Sequence, residues 1–253
     1  MSERGVPMFE RFLRGALFFA HRAVRGLANR VLDKKLIHPR PFSNNLIRRY
    51  APLFSGSVLN VSGWNDGDRE GGKYRDYFTK HTEYTVSNYE TRQRGVGSME
   101  GTGVKEILID LNRPIPNELE KQFDVVFNHT TLEHVIHVEQ AFANLCALSR
   151  DAVVLVVPVI QHFHIVESYG DYFRLMPFAV AKLFKQNGFT PMVLKSNEQP
   201  FAPIYCFAIG VRESKKYEGV IATDLGLDAG YSLYGSSAKP KFFQELLDQT
   251  EPD

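Results

Sequence analysis

The chain has 253 residues, 43% hydrophobic and 23% charged, with a formal net charge of +1. This is a globular composition, enough for one large domain with appendages, and it makes no overall electrostatic case for nucleic acid. Two cysteines, Cys146 and Cys206, form neither a disulfide framework nor a zinc quartet, so a reducing, cytoplasmic compartment is expected.

Charge is unevenly spread. Residues 1–50 carry eleven Lys/Arg against three Asp/Glu, a net of +8, which leaves −7 for the rest. At about 100° per residue, Phe9, Phe12, Leu13, Ala16, Ala20, Val24, Leu27 and Val31 gather on one side of a helix over 8–35. Arg11, Arg14, Arg22 and Arg25 gather on the other. The apolar run at 16–20 is far short of the roughly 20 residues a bilayer span needs. Two readings of the arm stay open: a helix lying on an anionic membrane surface, or one packed against the domain or a partner. Pro39 and Pro41 form a stiff connector, and a helix is expected over 43–54 with Ser43 as its cap.

Apolar strands follow at 57–61, 84–86, 106–110, 123–127 and 152–157. Helical patterns lie over 131–148 and 177–187, and the segment 71–78 reads as a helix after the first strand. Strands at 190–195 and 204–211 then come with no helix between them. Near-continuous Val/Ile/Leu strands alternating with helices indicate a mostly parallel sheet covered on both faces. The expectation is a Rossmann-like, doubly wound α/β fold. Its seven-stranded sheet ends in an antiparallel hairpin, and an N-terminal helical arm precedes it. Boundaries are set at 1–42 for the arm, 43–213 for the domain and 214–253 for a C-terminal extension. In that extension, 231–240 reads as loose and 241–247 as a short helix.

Open α/β sheets bind ligands at the carboxyl ends of their strands, which draws attention to Asn128 and His129 after the fourth strand and to His162 and His164 after the fifth. Thr130 or Thr131 reads as a helix cap. Asp171 and Arg174 read either as an ion pair holding a loop closed or with Arg174 binding an anionic substrate. Tyr172 suits stacking on a sugar or core packing. His162 and His164 lie two apart but lack a third ligand pattern, so no metal is expected.

Phe123-Asp124-Val125-Val126-Phe127 followed by Leu132-Glu133-His134-Val135 resembles the fourth-strand motif of class I S-adenosylmethionine-dependent methyltransferases, in particular bacterial ones acting on lipids and cell-envelope sugars. Val157-Pro158-Val159, His164, Asp171-Tyr172-Phe173-Arg174 and Gly188-Phe189 are similar to the motifs that follow it. Asp110-Leu111-Asn112-Arg113-Pro114-Ile115-Pro116 looks like the family's third-strand segment. The resemblance covers roughly residues 55–212. It implies S-adenosylmethionine as cofactor, with Asn60, Ser62, Gly63, Asn88, Asp110, Leu111 and Asn128 in its site. His164, His129 and Asp171 are the implied catalytic groups, and His162, Tyr172 and Arg174 the substrate contacts.

The first motif departs from the family. Asn60 stands for its aspartate, Ser62 and Trp64 stand for two glycines, and Asn88 stands for the acid that binds the ribose hydroxyls, with Glu90 two residues on. An amide offers one acceptor oxygen where a carboxylate offers two and a charge. That loss is about 1–3 kcal/mol, or roughly 5–150-fold in affinity. The implied function is O-directed methyl transfer to a glycan or lipid-linked sugar of the cell envelope, by a cytoplasmic protein that the arm holds peripherally at the inner membrane. The alternative that the departures favour is a catalytically inactive scaffold of a polysaccharide-biosynthesis complex.

Overall fold

A computed structural model describes residues 8–31, 38–89, 95–165, 169–197, 204–225 and 248. The expectations for Glu90 and for 231–247 lie outside them. Helix α1 is Met8–Val31 and α2 is Pro39–Tyr50. The strands are β1 Ser55–Val61, β2 Lys80–Asn88, β3 Lys105–Leu108, β4 Phe123–His129, β5 Ser149–Ile160, β6 Thr190–Ser196 and β7 Ile204–Val211. Helix α3, Val138–Leu148, links β4 to β5, and α4, Pro177–Gln186, links β5 to β6.

The strands form one sheet in the order β3-β2-β1-β4-β5-β7-β6. β1 to β5 pair in parallel, and β7 runs antiparallel between β5 and β6. This is the expected seven-stranded, mostly parallel sheet with its terminal hairpin. Period-two alternation explains the apolar strand runs. Val153, Leu155 and Val157 of β5 join Leu59, Val61 and Val126 in a core with Phe142 and Leu145 of α3 and Phe184 of α4. Val154 and Val156 join Val58, Val125 and Phe127 in a second core under Phe42, Leu46 and Ile47 of α2.

Three local expectations need correction. Pro39 and Pro41 do not precede a helix but open one: α2 starts at Pro39, where a missing N–H is no loss and φ is already helical. His38, not Ser43, is its cap, and Ser43 is buried with its hydroxyl donating to the Arg40 carbonyl at 3.0 Å. No α-helix follows β1; residues Tyr74–Tyr77 make a single 3-10 turn. Asp66 and Asp68 capture the backbone N–H groups of Arg75, Glu70 and Gly72 at 2.7–3.0 Å, closing the chain into turns. Helix α2 takes up the cover of that sheet face. The helix expected from 131 begins only at Val138. Leu132–His134 is a 3-10 turn, and neither Thr131 at its start nor His137 before α3 makes a side-chain cap.

Residues 214–225 pack onto the sheet edge. Tyr217 is buried against Phe54, and the backbone of Asp224 exchanges bonds of 2.8 and 2.9 Å with Met192 and Leu194 of β6.

Candidate active site

Between β1 and β4 the strand order reverses direction, the place where doubly wound sheets open a crevice. A cavity of about 740 Å³ lies there, at the carboxyl ends of β1, β2 and β4 and beside the segment that follows β3. One wall is the loop after β1. A second is formed by Ile109, Asp110, Leu111 and Asn112. A third comes from Thr130, Thr131, His134 and Val135, and Arg40, Tyr74 and His129 line it as well.

The loop after β1 keeps a glycine-type path without the glycines. Ser62 and Trp64 have φ of 54° and 51°, and Asp66 has 61°. A left-handed backbone costs a side-chain-bearing residue about 1–2 kcal/mol, and the surroundings hold it in place. Asn60 Nδ2 donates to Asp66 Oδ1 at 2.7 Å, and Tyr84 Oη donates to the same oxygen at 2.7 Å. Asp66 is buried, and that burial raises its pKa despite the bonds it accepts. At Gly63 a Cβ would lie 2.5 Å from Asn60 Nδ2, so this glycine is required by close approach. Trp64 is half exposed and lines the cavity without filling it.

Of the expected cofactor residues, Asn60, Ser62, Gly63, Asp110 and Leu111 line the cavity. Asp110 accepts from the backbone N–H of Asn112 at 3.0 Å, and its Oδ2 lies 3.4 Å from Arg113 Nε. Asn88 and Asn128, expected in the cofactor site, do not line the cavity. Asn88 is buried, and its Oδ1 accepts from the Trp64 N–H at 2.8 Å. Its Nδ2 donates to the Trp64 carbonyl at 3.1 Å, to Ser98 Oγ at 3.2 Å and to Glu106 Oε1 at 2.5 Å. This residue holds the loop rather than a ligand. Asn128 is buried as well, and its Nδ2 donates to the Val61 carbonyl at 2.9 Å, tying β4 to the end of β1.

His129 reaches the cavity from the end of β4. Arg40 Nη1 donates to its ring at 2.9 Å, Ser43 Oγ lies 3.0 Å from Nε2, and Tyr74 stacks on it at 5.6 Å between centroids. Burial first, then the neighbouring Arg40 charge, holds its pKa well below the ordinary imidazole value, so the ring is neutral. Arg40, assigned by sequence to the arm, is therefore part of the site.

Across the cavity, His134 Nδ1 is 2.6 Å from the Gly170 carbonyl, and its ring packs on Tyr169 at 4.3 Å and on His164 at 4.9 Å. Glu133 is buried, and burial pushes its carboxyl up to about 8. His164 is a third exposed; its N–H donates to Asp171 Oδ2 at 2.8 Å, and its Nδ1 lies 3.6 Å from the same oxygen.

Asp171 and Arg174 form the ion pair that is one of the two readings of sequence. Arg174 Nη1 and Nη2 donate to Asp171 at 2.5 and 2.7 Å, and its remaining donors take the carbonyls of Gln161, His162 and Phe173. Arg174, expected as a substrate contact, has its fork engaged within the loop. Asp171, expected as a catalytic group, has a side chain 1% exposed, with its carboxyl held well below the usual range chiefly by Arg174. His162 is exposed, and Tyr172 is half exposed, which removes the core-packing reading for Tyr172.

Solved structures align on this architecture. Magnesium protoporphyrin IX methyltransferase (ChlM) from Synechocystis PCC 6803, solved with SAH bound, superposes with a TM-score of 0.50 at 12% identity over 69% of this chain and 83% of that one. The CMeT domain of the citrinin polyketide synthase superposes with a TM-score of 0.50 at 14% identity over 69% of this chain and 51% of that one. The fold is that of the class I methyltransferases. No protein-family model matches the chain, and no curated protein does. At such identities the likeness covers the fold alone. Within the methyltransferase fold, sequence reasoning missed Arg40, Arg69, Lys73, Tyr74 and Tyr169 as lining residues. Only Arg40 carried a signal, sitting between the two prolines that start α2.

Proposed function

We propose that the protein is an S-adenosylmethionine-dependent methyltransferase, O-directed on a glycan or lipid-linked sugar of the cell envelope. The observation that carries this reading is the open cavity at the switch point, walled by Asp110 and by a β1 loop that keeps its left-handed backbone. At about 740 Å³ it falls within the roughly 300–1,000 Å³ of small-molecule sites. Its apolar walls, Ile109, Leu111 and Val135, suit a flat heterocycle, and Asp110 and Asn60 add polar groups that fix orientation. Arg40, Arg69 and Lys73 bring positive charge for an anionic ligand group.

When bound, the cofactor would supply an electrophilic methyl group on a sulfonium, whose leaving group is a neutral thioether. The residues of this chain align the acceptor oxygen and exclude water. His164 is the group assigned to orient the acceptor hydroxyl and receive its proton. His129, neutral and bonded to Arg40, serves as a polar wall. The arm would hold the protein at an anionic membrane surface. In support, Phe9, Phe12, Leu13, Leu17, Phe19, Val24 and Leu27 of α1 are all exposed, uncovered by any described part of the chain. No helix among the described residues is long and apolar enough to cross a membrane. Full-length protein should sediment with anionic liposomes and lose this on deletion of residues 1–35; failure of the intact chain to sediment sinks the tether.

One observation favours the inactive-scaffold reading. The β2 position where the family carries its ribose acid holds an amide bonded to the Trp64 backbone in the loop and to Glu106 of β3. Calorimetric titration with S-adenosylhomocysteine decides between the two. The enzyme reading expects micromolar binding, weakened about tenfold or more in Asp110→Ala. Absence of heat at millimolar ligand leaves the scaffold.

A further inference from the structure

We propose that Glu133, His134 and His164 form a binding site for one divalent first-row transition-metal ion, Zn²⁺ or a close relative, at the edge of the cavity. One ligand atom from each residue lies within 4.8 Å of the others. Glu133 Oε1 is 3.6 Å from His134 Nε2. That separation is too long for a hydrogen bond. It is also too short for an intervening water, whose partners stand about 4.5 Å apart when each bond is near 2.8 Å. It matches the edge of a tetrahedron around zinc, about 3.4 Å for ligand distances near 2.1 Å.

The donors are oriented from behind. The Gly170 carbonyl, 2.6 Å from His134 Nδ1, fixes the proton there and leaves the Nε2 lone pair free toward Glu133. His164 Nδ1 lies 3.3 Å from the His162 carbonyl, a backbone oxygen of the kind that orients metal-bound histidines from behind, and 3.6 Å from Asp171, itself clamped by Arg174. A second observation points to a ligand here. Glu133 Oε2 is buried and has no hydrogen-bond partner among the described residues, a costly state for any polar oxygen that nothing else contacts. Two imidazoles and one carboxylate suit zinc, iron or nickel rather than magnesium or calcium, which take oxygen ligands.

Three protein ligands leave a coordination position open. His134 also lines the cavity, which sets the ion at its edge. Ion binding and S-adenosylhomocysteine binding are measured separately, so failure of one is distinguishable from failure of the other. A His164 bound to the ion has no lone pair left for the acceptor's proton, so its two proposed roles exclude each other in the loaded protein.

The test is titration of chelator-stripped full-length protein with Zn²⁺ by calorimetry and with Co²⁺ by visible absorption. One ion per chain is expected, with a cobalt d–d spectrum and no comparable binding of Mg²⁺. Glu133→Gln, which keeps shape, and His164→Ala, at a partly exposed position, should each weaken Zn²⁺ at least tenfold while circular dichroism stays native. His137→Ala, an exposed histidine outside the cluster, should leave affinity unchanged. No saturable binding, or equal affinity in wild type, Glu133→Gln and His164→Ala, would overturn the proposal.

Discussion

Restoring the family's acid at position 88 should harm this protein. In Asn88→Asp the new carboxyl takes the place of an amide that donates to Glu106 Oε1 at 2.5 Å and to the Trp64 carbonyl at 3.1 Å. Two carboxylates about 3 Å apart repel by roughly 5–6 kcal/mol at an effective dielectric near 20. Protonating a carboxyl of ordinary pKa at pH 7 costs about 4 kcal/mol, at 1.36 kcal/mol per unit. Protonation is the cheaper escape, and the new O–H can then donate to Glu106. The bonds from the lost NH2 to Trp64 and Ser98 add about 1 kcal/mol. The penalty is therefore about 5 kcal/mol at pH 7, and about 2.5 at pH 5, where protonation costs only about 1.5. The sign follows from linkage: the folded variant binds a proton that its unfolded chain releases, so stability falls as pH rises above about 4. Urea unfolding of both proteins at pH 5 and pH 7 measures this, and S-adenosylhomocysteine titration should find no gain in affinity. A variant as stable as wild type at pH 7 that binds the ligand more tightly would refute the assignment of Asn88 to the loop.

Two further outcomes are expected. Ser62→Gly relieves a left-handed serine at φ 54°, offset by glycine's greater freedom in the unfolded chain, and should stabilise by roughly 0.5–1 kcal/mol in chemical denaturation. Asp171→Asn should cost about 3 kcal/mol by loss of the bidentate pair with Arg174. Because the folded Asp171 carboxyl is held below its unfolded value, its contribution is complete above about pH 4 and is lost as pH falls toward the lower folded value. The wild-type advantage over the variant, followed by urea unfolding from pH 6 to pH 2.5, should therefore narrow only at the acid end.

The sheet was legible because buried parallel strands write themselves as Val/Ile/Leu runs; β7 matches its expected bounds to the residue. Elements governed by side-chain capture of backbone were not. Nothing in the composition of 71–78 says that Asp66 and Asp68 will take its N–H groups, and nothing in 131–137 says that the Glu133 carbonyl will accept from Tyr172 and Phe173. The same division runs through the site. Residues on strand ends, such as Asn60, Asp110 and His129, could be found because the fold fixes where strand ends go. The partners that set their chemistry are remote in sequence. Arg40 meets His129 across 89 positions, and Gly170 meets His134 across 36. Pairings of that length have no local signal.

The amide at position 60 has a structural reason in its neighbour Asp66. Asn60 and Asp66 are both buried and share a 2.7 Å bond, so an aspartate at 60 would set two carboxylates against each other. The amide at 60 and the acid at 66 are matched, and Tyr84 and the N–H of Arg75 complete the carboxylate's partners. Trp64 is held in turn by Asn88 and Ser98. Six such bonds at about 1 kcal/mol each are of the same order as the cost of four left-handed residues, Ser62, Trp64, Asp66 and Arg69, at about 1–2 kcal/mol each. Hydrogen bonds therefore hold in a left-handed backbone residues that carry side chains, where glycine would adopt it freely. Because the cavity is shaped by that path rather than by the letters along it, the loss of two glycines is weak grounds for inferring a closed pocket.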